Sequence, residues 1–76
     1  MTRILTDETK TRINERANFY RNCYVNGFYS EEKLIEIYRD YESHTEEWKR
    51  SCQRQNFICG QAALLRVIYE IKAGVL

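Results

Sequence analysis

Apolar residues recur at helical spacing along most of this chain. In the first third, Ile13, Ala17, Tyr20 and Tyr24 follow one another at intervals of four, three and four residues. This spacing places all four on one face of an α-helix. The pattern therefore predicts a first helix near residues 7–26, with these side chains turned toward the core.

The end of this first helix is indicated by glycine. Gly27 follows the helical pattern and can adopt the left-handed conformation that ends many helices. Phe28 is then expected to fold back onto the helix, and Phe19 and Cys23 are expected to widen its apolar face.

A second, longer helical segment is predicted near residues 31–73. Ser30 is a suitable N-cap, because its hydroxyl can accept a hydrogen bond from a free backbone N–H in the first turn. Although Ser43-x-x-Glu46 fits a capping box, the apolar stripe keeps its phase through it, which favours a continuous helix. The stripe consists of Leu34, Tyr38, Tyr41, Thr45, Trp48, Cys52 and Cys59.

The apolar face changes near residues 57–60. After this point the segment is apolar almost all round, and such a helix must be buried on every side. Either the chain kinks at Gly60 and folds back, or a straight helix offers its second face to another subunit. The fold class predicted is all-α: a helical hairpin or small bundle that forms a homodimer or larger oligomer. The residues expected at the oligomer interface are Leu64, Leu65, Ile68 and Ile71.

Aromatic residues are concentrated between residues 18 and 29, which hold five of the chain's ten aromatic side chains. Two of the five, Tyr20 and Tyr24, belong to the buried stripe of the first helix, so core and core edge are the favoured roles. A surface on which a ligand stacks is the alternative. The six tyrosines favour positions at the edge of the core, because each buried hydroxyl needs water or a partner.

Composition excludes several classes of protein. The 76 residues allow one domain, and no apolar run reaches the roughly 18 residues of a membrane span. No secretory signal is present, so the cytoplasm is the expected compartment and Cys23, Cys52 and Cys59 are expected to be reduced thiols. His44 is the only histidine, and no closely spaced ligand pair suggests zinc. No catalytic or nucleotide-binding motif occurs, so neither enzymatic activity nor a cofactor is predicted.

Charge is distributed unevenly although the net charge is only +1. Residues 31–47 carry seven acidic and two basic side chains, whereas residues 48–76 carry one acidic and five basic. The acidic segment predicts an exposed face that meets a basic partner. Its proposed contact residues are Glu32, Glu36, Asp40 and Glu47. The alternative is a basic patch of Lys49, Arg50 and Arg54, in which the two arginines clamp a phosphate.

Three functions remain open on these grounds. The first is a non-enzymatic protein that binds and inhibits or adapts a protein or nucleoprotein, as small helical proteins of phages and mobile elements do with host enzymes or defence complexes such as CRISPR machinery. The second is binding of nucleic acid or a nucleotide through the basic patch. The third is a purely structural oligomerisation module.

The apolar segment generates a prediction about mass. If Leu64 and Ile68 lie between chains, light scattering at high micromolar concentration will report a mass above 9.2 kDa. Ile68→Glu will then dissociate the assembly, because an unpaired charge enters an apolar interface. A monomer that persists at high micromolar concentration contradicts the oligomer prediction.

Overall fold

The structure is a computed structural model that describes residues 7–50 and 54–76, without the side chain of Lys49. These residues form four α-helices and no strand, so the all-α prediction is confirmed. The prediction that Cys52 continues the apolar stripe lies outside the described residues.

The helices are α1 (Asp7–Val25), α2 (Glu31–Ser43), α3 (Thr45–Lys49) and α4 (Arg54–Lys72). The short α3 follows α2 after a single residue, whereas α4 begins after a change in chain direction.

Helix α1 buries the predicted stripe, with Ile13, Ala17 and Tyr20 in the core and Tyr24 packed at its edge. Gly27 ends it as predicted, with a φ of 81°. The backbone N–H of Gly27 donates to the Tyr24 carbonyl at 3.1 Å. The backbone N–H of Phe28 donates to the Cys23 carbonyl at 2.8 Å. These two bonds define a Schellman motif, which satisfies carbonyls that the helix leaves free.

Helix α2 begins as predicted, because the Ser30 hydroxyl accepts a hydrogen bond from the backbone N–H of Lys33 at 3.1 Å. The predicted continuous helix is wrong, since α2 ends at Ser43. The Ser43 hydroxyl donates to the backbone carbonyl of Asp40 at 2.8 Å. The Thr45 hydroxyl donates to the backbone carbonyl of Glu42 at 2.9 Å. Such local bonds compete with the helical ladder. Because only one residue interrupts the helix, the apolar stripe stays in phase across the break.

Helix α4 runs parallel to α1. Near their starts, the Gln55 side-chain amide donates to the Thr9 hydroxyl at 3.0 Å. Near their ends, Arg21 forms a two-bond ion pair with Glu70, with both N···O distances 2.9 Å. This hydrogen-bonded pairing raises the pKa of Arg21 and lowers that of Glu70. The first helix therefore has α4, rather than the following helix, as its main partner.

Helix α4 also packs on α2, in the antiparallel direction. The Lys72 ammonium at the end of α4 lies 3.4 Å from the Glu31 carboxylate at the start of α2. At the other end, the rings of Tyr41 and Phe57 lie 5.0 Å apart between centroids. The molecule measures 34 Å in its longest dimension, far less than the roughly 60 Å of a straight helix over residues 31–73.

The position of α4 between α1 and α2 explains why the apolar face changes in the sequence. Both sides of this helix are buried within one chain. Neither of the two alternatives for this region holds: Gly60 lies inside α4, and the chain changes direction between α3 and α4 instead. Of the four residues proposed for an oligomer interface, Leu64 and Ile68 are buried in the core of the single chain. Leu65 and Ile71 are half-buried. Self-association stays a prediction.

The three long helices meet around Tyr41. A Cβ added to Gly60 would lie 2.6 Å from the Tyr41 hydroxyl oxygen, so only glycine allows α2 this close to α4. Tyr20 of α1 lies beside Tyr41 in the same core cluster, which extends the contact to α1. Burial and the neighbouring Tyr41 side chain raise the pKa of Tyr20 to about 12. Tyr20 is the one buried tyrosine, whereas the other five are half-buried or exposed, as predicted for positions at the edge of the core.

This contact predicts the effect of Gly60→Ala. At an unhindered helical position the change stabilises by about 0.5–1 kcal/mol. Here the methyl group meets the Tyr41 hydroxyl, and overpacking typically costs about 1–3 kcal/mol. We expect a net decrease in the free energy of unfolding, measured by urea denaturation. In a Tyr41→Phe background, which lacks the oxygen, the decrease will be smaller. A Gly60→Ala variant more stable than the parent protein contradicts the close packing.

Candidate functional site

The predicted acidic residues of α2 lie on its outer face. Glu32, Glu36 and Asp40 are four residues apart, so each is about 6 Å further along the helix axis than the last. All three are exposed and lie opposite Leu34, which is completely buried. Glu47 is exposed on α3, which continues beyond the end of α2.

The four carboxylates form one continuous surface. Glu32 and Glu36 line one shallow depression, and Glu36 and Asp40 line the next. Asp40 and Glu47 line a third depression, a groove of about 480 Å³ between α2, α3 and α4. We call the surface formed by these four residues the acidic face. The structure thus brings together all the carboxylates that the sequence suggested.

The acidic face also carries two cations. The Lys33 ammonium lies 3.6 Å from the Glu36 carboxylate, and both side chains are largely exposed. Arg39 lines the two shallow depressions. Exposed pairs of this kind contribute about 0.2–1 kcal/mol, so a partner's cation can displace them at small cost. The acidic face therefore carries four carboxylates and two cations, and its Asp40 carboxylate also lies 3.7 Å from the His44 imidazole.

The basic patch has a different geometry from the predicted one. Arg50 ends α3 and Arg54 begins α4, so the two arginines do not lie one turn apart on a common helix. Both are exposed, and the Lys49 side chain lies outside the described residues. Among the other basic residues, Arg21 of α1 is held in an ion pair with Glu70.

An aromatic wall at the start of α4 was not recognised as a surface feature from the sequence. Trp48 stacks on Phe57 with ring centroids 5.4 Å apart and an angle of 17° between the rings. Tyr41 packs on the other side of Phe57. Trp48 and Phe57 line two grooves, one with Asp40 and Glu47 (about 480 Å³) and one with Arg54 (about 360 Å³). The missed signal is the change of chain direction, which brings residue 57 back to residues 41 and 48.

The aromatic cluster of residues 18–29 is only partly core. Tyr20 is buried and Tyr24 and Tyr29 pack at the core edge, but Phe19 and Phe28 are 57% and 75% exposed. The predictions that Phe19 widens the buried face and that Phe28 folds back onto α1 are therefore wrong.

Cysteine and histidine side chains are spread over the described part of the chain. Cys59 is buried and Cys23 half-buried, both as free thiols. No group of three or more metal-binding side chains occurs among the described residues. His44 lies between α2 and α3, where its Nδ1–H donates to the Asp40 carbonyl at 2.8 Å. This bond, and secondarily the Asp40 and Glu47 carboxylates, raise the pKa of His44.

Comparison with protein-family models, curated proteins and solved structures found no match to this chain. Among the described helices, none has the length and apolar character needed to cross a membrane.

The His44 contact predicts a titration behaviour. The cationic imidazole donates to the Asp40 carbonyl, so the NMR titration midpoint of His44 will lie above 6.5. The hydrogen bond of the protonated His44 stabilises the fold slightly. This stabilisation is complete below the pKa of His44 in the unfolded chain and is lost as the pH rises through its pKa in the folded protein. Asp40→Asn will keep most of the shift, because the backbone carbonyl remains. A midpoint at or below 6.5 contradicts the hydrogen bond.

Proposed function

We propose that the protein is a non-enzymatic binding protein whose acidic face attaches to a basic surface of another macromolecule and inhibits or adapts it. The observation that carries the proposal is the continuity of Glu32, Glu36, Asp40 and Glu47 on one exposed surface. Helix α2 packs on the core, and Trp48 of α3 stacks on Phe57, so the backbone positions that carry the four charges are set before binding.

Electrostatics supports a basic partner. Carboxylates aligned on one face attract a complementary surface and accelerate association, and they repel partners of the same sign. Because surface charges are screened within about 8 Å at physiological salt, the charged partner must make close contact. A protein groove that normally holds nucleic acid has the required basic chemistry. An inhibitor encoded by a phage or mobile element, acting in the cytoplasm on a host enzyme or defence complex, fits this proposal.

Charge reversal tests the proposal. A variant with Glu36, Asp40 and Glu47 changed to lysine will lose capture of the partner from a host-cell lysate. Its fold will survive, because exposed substitutions usually change stability by less than about 0.5 kcal/mol each. Capture is measured by affinity purification and mass spectrometry, with and without nuclease treatment. Circular dichroism checks the helical content of each variant.

A matched control variant distinguishes binding by the acidic face from attraction that depends only on net charge. Asp7, Glu8 and Glu15 are also exposed but belong to α1, which contributes no residue to the acidic face, and changing them to lysine alters the net charge equally. This control variant should keep the partner. Equal loss in both variants, or capture that disappears with nuclease treatment or with Arg50→Glu and Arg54→Glu, contradicts the proposal and favours nucleic acid or nonspecific attraction.

A further inference from the structure

The groove between α2, α3 and α4 combines aromatic walls with negative charge. Tyr41, Trp48 and Phe57 supply ring surface, and the groove has a volume of about 480 Å³. The rings contact one another, with centroid separations of 5.0 and 5.4 Å, so the wall is a packed unit. Apolar grooves with a few polar groups at defined positions are the usual form of binding sites for individual side chains and small ligands.

Two carboxylates from different helices line this groove. Asp40 comes from the last turn of α2, and Glu47 comes from α3. His44 is the neighbouring titratable group, and its Nδ1–H is occupied by the Asp40 carbonyl, with the Asp40 carboxylate 3.7 Å away. Both carboxylates are on exposed residues, so an incoming cation can reach them.

We propose that this groove binds the side chain of an arginine on the surface of a partner protein. The inference rests on the proposed function and names the residue type that anchors it. A planar guanidinium stacks on an aromatic ring and donates two parallel hydrogen bonds to a carboxylate. The groove offers both surfaces together, with Trp48 and Tyr41 as rings and Asp40 and Glu47 as acceptors.

Other occupants fit the groove less well. Asp40 and Glu47 repel a phosphate or a carboxylate, and an apolar side chain would leave both carboxylates without partners as it excluded water. A lysine has the right charge, but its ammonium is compact and strongly hydrated and cannot pair with a carboxylate through a planar fork. Charge and shape together therefore favour arginine.

Trp48 makes the groove directly observable, because it is the only tryptophan of the chain. The probe is a blocked tetra-arginine peptide, and a blocked tetra-lysine peptide of the same charge is the comparison. We expect a saturable change in tryptophan fluorescence with the arginine peptide. We expect binding of the lysine peptide to be several-fold weaker, because stacking and two-bond pairing are lost.

Two variants of equal charge locate the binding. The groove variant combines Asp40→Asn and Glu47→Gln, which keep side-chain shape and remove charge. The control variant combines Glu32→Gln and Glu36→Gln on the same acidic face but outside the groove. We expect the groove variant to bind the arginine peptide about tenfold more weakly or worse, and the control variant to lose less than about threefold.

Three results overturn the inference. They are equal losses in the two variants, equal affinity for the arginine and lysine peptides, and absence of a saturable response from Trp48. If both variants lost the same affinity for the arginine peptide, the peptide would bind through general attraction by the acidic face. The proposed function would still stand in that case. The proposed function fails separately, when the lysine-reversal variant still captures the partner from the lysate.

Discussion

The close approach of Gly60 to Tyr41 is the contact on which the rest of the structure depends. It brings α4 against α2, and Tyr41 also packs against the core cluster that contains Tyr20 of α1, so three helices meet at one point. A larger residue at position 60 would separate α2 and α4. Because α4 lies between the other two helices, Leu64 and its neighbours are buried within a single chain instead of requiring a second one.

The same packing builds the surface assigned to binding. Once α4 lies on α2, Phe57 is placed between Tyr41 and Trp48, and their rings form one wall of the groove. Asp40 and Glu47 are seven residues apart, so they stay on the same side of the chain across the break at residue 44 and line that groove together. The acidic face therefore has two parts. Along α2 its carboxylates are exposed to solvent and attract a basic partner, and at the end near α3 the aromatic groove can hold one cation.

Local signals in the sequence predicted local structure well. The spacing of Ile13, Ala17 and Tyr20, the Ser30 cap and Gly27 define α1 and the start of α2, because each depends on near neighbours in the chain. The chain reversal before Arg54 was not predicted, because no glycine or proline marks it. A bend at Gly60 was one of two predicted alternatives, but this glycine instead permits contact with a residue 19 positions earlier. The acidic residues were predictable from helical spacing, whereas the aromatic groove depends on that long-range contact.

The most direct test is an NMR nuclear Overhauser measurement between the Gly60 α-protons and the Tyr41 ring protons. In the structure, the position of a Cβ on Gly60 is 3.4 Å from a ring carbon of Tyr41 that carries a proton, so a strong cross-peak is expected. In a continuous helix the two residues would be about 28 Å apart, and no cross-peak could form. Mixing differently isotope-labelled chains separates contacts within a chain from contacts between chains. A strong intrachain cross-peak supports the account, and its absence, or its appearance only between chains, contradicts it.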